Sequence, residues 1–417
     1  MHDDIHVMPP TPEPDRPDNT NVQTNRFKTP EEVAAHDTGQ GESSPANQII
    51  SSRSDTPKPT NKSHKFWPPS KKQWLIYSSI LLALILIGGG IFLATQKNKP
   101  VTINIPKKVI PKKTAPISNT VPSTLSGLPV APSVNQRPIT AVMVENLPPA
   151  RPQSGLSQAG VVIEALTEGG ITRFIAFYQD QLAPSVGPIR SVRPYFLDWA
   201  LGFDAPLAHV GGSPTALAEI PTLGVKNLDY MYYPSYYTRI SSRLAPHNVY
   251  TSISRLISLE ASNGWTSSTF TGWARKPDSP SKTPNATNIN FNISYSTYNV
   301  NYTYDATTNS YNRSEGGAPQ IDANTGKQLS PKVVIGMIVP WSQGSLDSSN
   351  AYYSVYKNVG SGQAYVFQDG TLTLGQWNKA SPQAPLTFTA QNGQPLKLNA
   401  GQTWITALAS SNEIKYN

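Results

Sequence analysis

Charged side chains that can take part in acid–base chemistry stand in a few short loops of this chain. A carboxylate acts as a general acid or base when its surroundings tune its ionisation, and burial at the end of a strand is one way to achieve this. Glu164 follows three apolar residues, and Glu168 stands beside a glycine pair. We therefore predict both as catalytic candidates. The alternative is a structural ion pair with Arg173, Arg190 or Arg193.

Three arginines in these loops suggest an anion site. Arg190 and Arg193 are three residues apart and precede a predicted helix that begins at Pro194. Guanidinium groups near a helix N-terminus suit a carboxylate or a phosphate. We predict that Arg173, Arg190 and Arg193 bind a ligand, with surface salt bridges as the alternative.

Histidine, asparagine and a further arginine complete the candidate set. His209 ends a predicted strand before Gly-Gly-Ser, which makes it a candidate general base or metal ligand or, alternatively, a hydrogen-bonded structural residue. His247 and Asn248 stand in an Ala-Pro-His-Asn loop, where they could hold a substrate amide or a sugar hydroxyl or simply stabilise a turn, and Arg151 stands in a Pro-Ala-Arg-Pro loop. Loops at strand ends are where α/β folds place their sites, so we predict that these three residues bind a ligand.

No established catalytic signature supports these candidates. The chain lacks the nucleophile elbow, the zinc-protease motif, the P-loop and the dinucleotide-binding glycine fingerprint. It also has no cysteine, which excludes disulfides, thiolate zinc sites and cysteine nucleophiles. No cofactor and no metal site are expected. Whether the protein is an enzyme stays open.

The charge of the chain is concentrated in one stretch. Of the 417 residues, residues 1–73 carry nine basic and ten acidic side chains, and residues 138–417 carry 18 and 16. Residues 96–137 carry seven basic side chains and no acidic one. Because a nucleic-acid-binding domain needs its basic residues on the folded part, no nucleic-acid partner is expected.

An uncharged run from residue 74 to residue 95 predicts a transmembrane helix. Its 22 residues span about 33 Å as a helix, enough for a hydrocarbon core of about 30 Å. A cleaved signal peptide, the alternative, would start near residue 1 and be shorter. Lysines flank both ends of the run, so the positive-inside rule does not settle its orientation.

The composition divides the rest of the chain into four segments. Residues 1–73, rich in Pro, Asp and Ser, are predicted to be disordered, and residues 96–136 form a Lys/Pro-rich stalk. Alternating strand and helix patterns predict an α+β or α/β domain over residues 137–285. Short strands joined by Asp-Gly and Asn-Gly pairs predict a mostly antiparallel β domain over residues 286–417.

Several motifs occur in the order that one family shows. With RPITAVMVENLPPARPQSGL, EALTEGGITRF, GPIRSVRPYF, HVGGSP, APHNVYTS and YNRSEGGAPQIDANTGKQL, the chain resembles the YerB-like bacterial envelope lipoproteins, a two-part domain of unknown function. The resemblance implies that residues 96–417 are extracytoplasmic and that the N-terminal arm is cytoplasmic. Family members are anchored through a lipobox cysteine, which this chain lacks, so the predicted helix looks like a replacement anchor.

Three functions remain open at this stage. We expect a membrane-anchored extracytoplasmic protein that binds a cell-wall polymer or an envelope protein through a charged cleft in the first domain. The alternative is a hydrolase or transferase acting on cell-wall or glycan material, with Glu164 or Glu168 as acid/base together with His209. A structural scaffold for assembly is the second alternative.

Overall fold

The structure is a computed structural model that describes residues 119–346 and 352–417. The predicted arm, the predicted transmembrane run at residues 74–95 and most of the predicted stalk lie outside the described residues. Within the described ranges, no helix combines the length and the apolar character needed to cross a membrane.

Three α-helices occur in the described part of the chain, all before residue 285 as the sequence predicts: α1 Pro194–Gly202, α2 Pro214–Leu223 and α3 Ile253–Ser262. Proline occupies the first turn of α1 and of α2, where its missing N–H costs no helical hydrogen bond. The hydroxyl of Ser213 caps α2 and that of Ser252 caps α3. Local sequence therefore fixes where these short helices begin.

The strands before residue 285 are β1 Val121–Pro122, β2 Pro129–Val130, β3 Thr140–Glu145, β4 Val161–Leu166, β5 Thr172–Tyr178, β6 Leu207–His209, β7 Asn227–Asp229, β8 Thr238–Arg239, β9 Val249–Tyr250 and β10 Arg275–Lys276. Those after residue 285 are β11 Asn288–Phe291, β12 Val300–Asp305, β13 Ser310–Glu315, β14 Ala318–Pro319, β15 Val333–Ile338, β16 Trp341–Leu346, β17 Tyr352–Tyr356, β18 Gly360–Gln368, β19 Thr371–Lys379, β20 Thr387–Ala390, β21 Leu398–Asn399, β22 Thr403–Leu408 and β23 Ile414–Tyr416.

Ten of these strands form one sheet in the order β20-β19-β18-β15-β22-β4-β5-β3-β6-β7. The sheet is mixed, because β22 runs parallel to β15 and β4, and β6 runs parallel to β3 and β7. Strands β3, β4 and β5 are buried along their whole length, as continuous apolar runs require. The predicted succession of strands and helices is present, but the architecture is mostly β, with few helices.

The sheet takes strands from both sides of the boundary predicted between residues 285 and 286. β4 pairs on one edge with β5 and on the other with β22, a strand some 240 residues further along the chain. All described residues fall in one compact unit. Whether the two parts also fold separately stays a prediction.

A second, five-stranded sheet has the order β14-β13-β12-β11-β23 and is antiparallel. Its tyrosines at positions 302 and 311 are fully buried. Arg313 on β13 contacts Phe174 and Trp404 of the large sheet, so side chains of the two sheets meet in one core. Because the five-stranded sheet packs against the large sheet, β13 lies next to the ends of β3, β4 and β5 where their polar residues stand.

Candidate functional site

The candidate site lies where β3 ends and β5 begins. Glu145, the last residue of β3, stands opposite Arg173 in the antiparallel ladder. The loop of residues 187–193 runs along β3, held by backbone hydrogen bonds from Glu145 to Pro188 and from Arg190 to Met143. Three X–Pro peptide bonds in the loops around it are cis: Arg151–Pro152, Gly187–Pro188 and Ala245–Pro246.

Beneath the site lies a buried ionic core centred on Arg313. Its Nη2 donates to Oε2 of Glu164 at 2.7 Å, and its guanidinium stacks over the ring of Trp404 at 4.3 Å. Both charged side chains are fully buried. Glu164 therefore pairs with Arg313, 149 residues away, and not with one of the three arginines considered from the sequence, because the second sheet supplies the cation.

Glu315 extends this core towards Arg151. Arg313 lies 3.5 Å and Arg151 3.1 Å from its carboxylate, and the amide of Asn146 donates to it. Burial raises the pKa of Glu315, against the opposing charges of the two arginines. Arg151 also donates to the backbone oxygens of Asn146 and Thr297, so protein groups engage its guanidinium.

Glu168 and Arg193 form a second ion pair. Arg193 binds the carboxylate with both Nε and Nη2, the latter at 2.6 Å from Oε2. Burial raises the pKa of Glu168, but Arg193, followed by Arg173, outweighs it, so that the pKa lies below its ordinary value. Glu168 is therefore a carboxylate that stays ionised and bound to a guanidinium.

Arg173 differs from Arg193 in that no described carboxylate lies within salt-bridge distance of its guanidinium, although the charges of Glu168 and Glu145 act on it. Nη1 donates to the backbone oxygen of Ser191 at 2.8 Å, while the buried Nε has no hydrogen-bond partner in the described ranges. No salt bridge joins Arg173 to a described carboxylate within 4.0 Å. Burial, followed by the charge of Arg193, lowers the pKa of Arg173 to about 10.

His247 completes the site through Glu145, a residue that the sequence analysis missed. Nδ1 of His247 lies 2.9 Å from Oε1 of Glu145, and Nε of Arg190 lies 3.3 Å from the same oxygen. The Glu145 side chain is fully buried, whereas those of His247 and Arg190 are each 19% exposed. Glu145 follows an apolar strand as Glu164 does, so the same pattern would have identified it.

Two predicted residues contact other groups. His209 is buried, with Nδ1 2.8 Å from the oxygen of Gly211 and Nε2 2.9 Å from Oδ1 of Asn227. Asn248 accepts a hydrogen bond from Arg239. Among the residues that the structure describes, no three His, Asp or Glu side chains are grouped so as to hold a metal ion.

Two family models match the chain along most of this region. "Protein of unknown function (DUF3048) N-terminal domain" matches residues 125–266, and the corresponding C-terminal domain matches residues 289–405. The chain therefore belongs to the DUF3048 family.

The individual relatives agree with this assignment. The chain is 34% identical over 289 residues to YerB of Bacillus subtilis (strain 168), which is named as a candidate lipoprotein. The match covers 67% of this chain and 84% of that protein. The crystal structure of YerB from Bacillus subtilis is similar with a TM-score of 0.63 and 29% identity, over 71% of this chain and 99% of the other. The resemblance to a YerB-like family is thus confirmed.

Proposed function

We propose that this protein is a membrane-anchored envelope protein that binds an anionic cell-wall polymer through Arg173 and the groups around it. The name of its relative YerB supports an envelope location, and the uncharged run at residues 74–95 supports a transmembrane anchor. The run replaces the lipid-acceptor cysteine that the chain lacks. Residues 96–417 are then extracytoplasmic and residues 1–73 cytoplasmic.

The observation that carries this proposal is the incomplete pairing of Arg173. A buried cation is costly unless it is paired and hydrogen-bonded. Arg193 has Glu168 as its partner, whereas Arg173 donates, among the described residues, only to a backbone oxygen, and the charges of Glu168 and Glu145 act on it from beyond salt-bridge distance. An anionic group of a ligand would supply the missing acceptor, and a guanidinium suits the oxygens of a carboxylate or a phosphate.

Two of the charged groups around Arg173 are partly exposed. Arg190 and His247 reach the surface, and the charge of Arg190 acts on Arg173. Tyr232 is 72% exposed, and the partly exposed Tyr230 carries over its ring, at 5.2 Å, the guanidinium of Arg239, which donates to Asn248. Exposed aromatic rings of this kind can stack on sugars, which suits a polymer with both glycan and anionic groups.

Calorimetric titration of the full chain in detergent micelles tests this function. The probes are poly(glycerol phosphate) chains and, as the neutral comparison, N-acetylglucosamine oligomers. We expect binding of the anionic polymer that weakens about ten- to a hundredfold in Arg173→Gln, the loss of a charge-assisted hydrogen bond. Arg255→Gln, an exposed substitution on α3, is the matched control.

Because Arg173 is buried, thermal unfolding must first show that Arg173→Gln is folded, and Arg190→Gln tests the mouth of the site independently. Equal binding by wild type and both variants would contradict the proposal. Absence of polymer binding together with a protein crosslinked at this face would mean that the partner is an envelope protein.

A second test concerns the anchor. Deleting residues 74–95 is expected to release the chain from the membrane fraction into the soluble fraction, because no other long apolar run occurs in the sequence. Retention of the deleted form in the membrane fraction after a high-salt wash would contradict this anchor.

The hydrolase alternative based on Glu164, Glu168 and His209 has less support. Glu164 is sealed against Arg313, Glu168 is held by Arg193, and both nitrogens of His209 lie against protein oxygens. A general acid or base must reach its substrate. The scaffold alternative would not require a buried arginine whose Nε has no hydrogen-bond partner in the described ranges.

A further inference from the structure

His247 has one nitrogen fixed by the protein and the other open. The Nδ1–Glu145 distance of 2.9 Å joins the ring to a fully buried carboxylate, which as an anion can only accept. Nδ1 therefore carries the hydrogen, and the lone pair of the neutral ring is on Nε2. Nε2 has no hydrogen-bond partner among the described residues, and the side chain reaches solvent.

The same carboxylate oxygen links this histidine to the anion site. Oε1 of Glu145 lies 3.3 Å from Nε of Arg190, and Glu145 stands opposite Arg173 in the β3–β5 ladder. His247 and Arg190 thus contact the same carboxylate oxygen, and both side chains are partly exposed. A base next to a group of cations suits a reaction in which a negatively charged centre gains further charge.

We infer that His247 is the general base, and Glu145 its positioning residue, for hydrolysis of a phosphodiester held by Arg173 and Arg190. The inference rests on the proposed anion site. A phosphodiester is favoured over a carboxylic ester because its reacting phosphorus bears the charge that the arginines bind, whereas an ester carbonyl is neutral.

The reaction needs only water as the second reactant. Nε2 takes a proton from a water molecule while the water oxygen forms a bond to phosphorus. The bond from phosphorus to the leaving oxygen breaks, and its electron pair stays on that oxygen, which takes a proton from solvent because it lies opposite the attacking water, while the imidazolium releases its proton to solvent. The products are a phosphomonoester and an alcohol, and the ring returns to its neutral form.

Hydrolysis of bis(p-nitrophenyl) phosphate by the full chain in detergent tests the inference. We expect His247→Gln to lower kcat by about 10²- to 10⁴-fold. Glu145→Gln keeps an acceptor for Nδ1 but removes the charge that stabilises the imidazolium, so kcat falls while KM does not rise. A merely structural role of Glu145 would raise KM as the loop loosens. Arg255→Gln, an exposed substitution on α3 outside the proposed site, should leave both constants unchanged.

Each remaining outcome is decisive. Turnover that is absent in wild type, or equal in wild type, His247→Gln and His247→Asn, overturns the inference. So does hydrolysis of p-nitrophenyl acetate without hydrolysis of the diester. Calorimetric binding of poly(glycerol phosphate) without any diester cleavage overturns the inference but leaves the binding function intact. If the wild type neither binds poly(glycerol phosphate) nor cleaves the diester, both the proposed binding function and this inference are wrong. Thermal unfolding identifies a variant that fails to fold.

Discussion

Arg313 illustrates what single buried charges do in this protein. It lies between Glu164 and Glu315 and over the ring of Trp404, so one guanidinium serves two carboxylates and an aromatic face. The desolvation penalty of such a group is offset only while its partners are in place. The group therefore ties the second sheet to the first at a defined register.

Removing that cation should be among the costliest single changes in the chain. Arg313→Met keeps much of the apolar stem but leaves Glu164 buried without its cation and Glu315 with Arg151 alone, and we expect a loss of about 3–5 kcal/mol in the free energy of unfolding. Urea denaturation at neutral pH measures it. Arg255→Met, an exposed arginine, is the control, and a loss below about 1 kcal/mol in Arg313→Met would contradict the assignment.

Glu260 gives a prediction for pH dependence. It is fully buried on α3, Oε1 accepts from Thr140, and Oε2 has no hydrogen-bond partner in the described part of the chain. Burial, against the weaker effects of Thr140 and Lys226, raises the pKa of Glu260 to about 7. Between its unfolded pKa near 4.5 and this value, the folded state binds more protons than the unfolded state.

The free energy of unfolding should therefore fall as pH rises from about 4.5 to 7, by at most about 3 kcal/mol from this group. Glu260→Gln has no titrating group and should flatten this part of the profile. Denaturation curves at several pH values compare the two proteins. An unchanged slope in the variant would show that Glu260 does not lose its proton on unfolding.

At the scale of elements, local sequence patterns predict where helices and strands form, but they do not predict which of them contact each other. The helices that begin at Pro194 and Pro214 follow from residues within a few positions of each start, and the buried strands follow from apolar runs. The partner of Glu164 is Arg313, on a strand whose own pattern reads only as alternating polar and aromatic residues. A pairing across 149 residues depends on the whole topology, which no local pattern contains.

At Asp369, too, the neighbouring sequence predicts the local structure but not the long-range contacts. Its positive φ of 58°, followed by 75° at Gly370, is the tight turn that an Asp-Gly pair predicts between β18 and β19. Its carboxylate accepts from Asn309 at 2.8 Å, from Asn399 at 2.6 Å and from Lys276. Three distant segments thus meet at one turn, a role that the sequence did not indicate.

Two substitutions of Asp369 should distinguish its contribution to the turn from that of its hydrogen bonds to distant segments. Asp369→Ala removes the hydrogen bonds that the carboxylate accepts from Lys276, Ser279, Asn309 and Asn399 and strains the turn, with an expected loss of about 2–4 kcal/mol in the free energy of unfolding. Asp369→Asn tolerates the positive φ and should cost less. Thermal unfolding compares both with wild type, and equal losses would mean that the turn geometry contributes little.

At the scale of the whole molecule, the large sheet joins the two family-defined parts. β4, within the first part, has β5 on one edge and β22 on the other, and β22 in turn pairs with β15. The site depends on this union, since Arg313 and Glu315 of the second part lie under the polar strand ends of the first. The composition change near residue 285 marks a loop in sequence and carries no information about the sheet that spans it.

A cut in that loop gives the last prediction. Residues 119–285 alone would expose the edge of β4 and the side chain of Glu164, while residues 286–417 alone would bury Arg313 without its main partner. The unpaired strand edge and the unpaired charges destabilise each separated fragment, and association of the two fragments removes both penalties. We expect each fragment alone to be unfolded or aggregated, and the coexpressed pair to copurify with the circular dichroism of the uncut chain. Two fragments that each unfold cooperatively on their own would show instead that the composition boundary separates two autonomous domains, with the shared sheet edge forming only after each has folded.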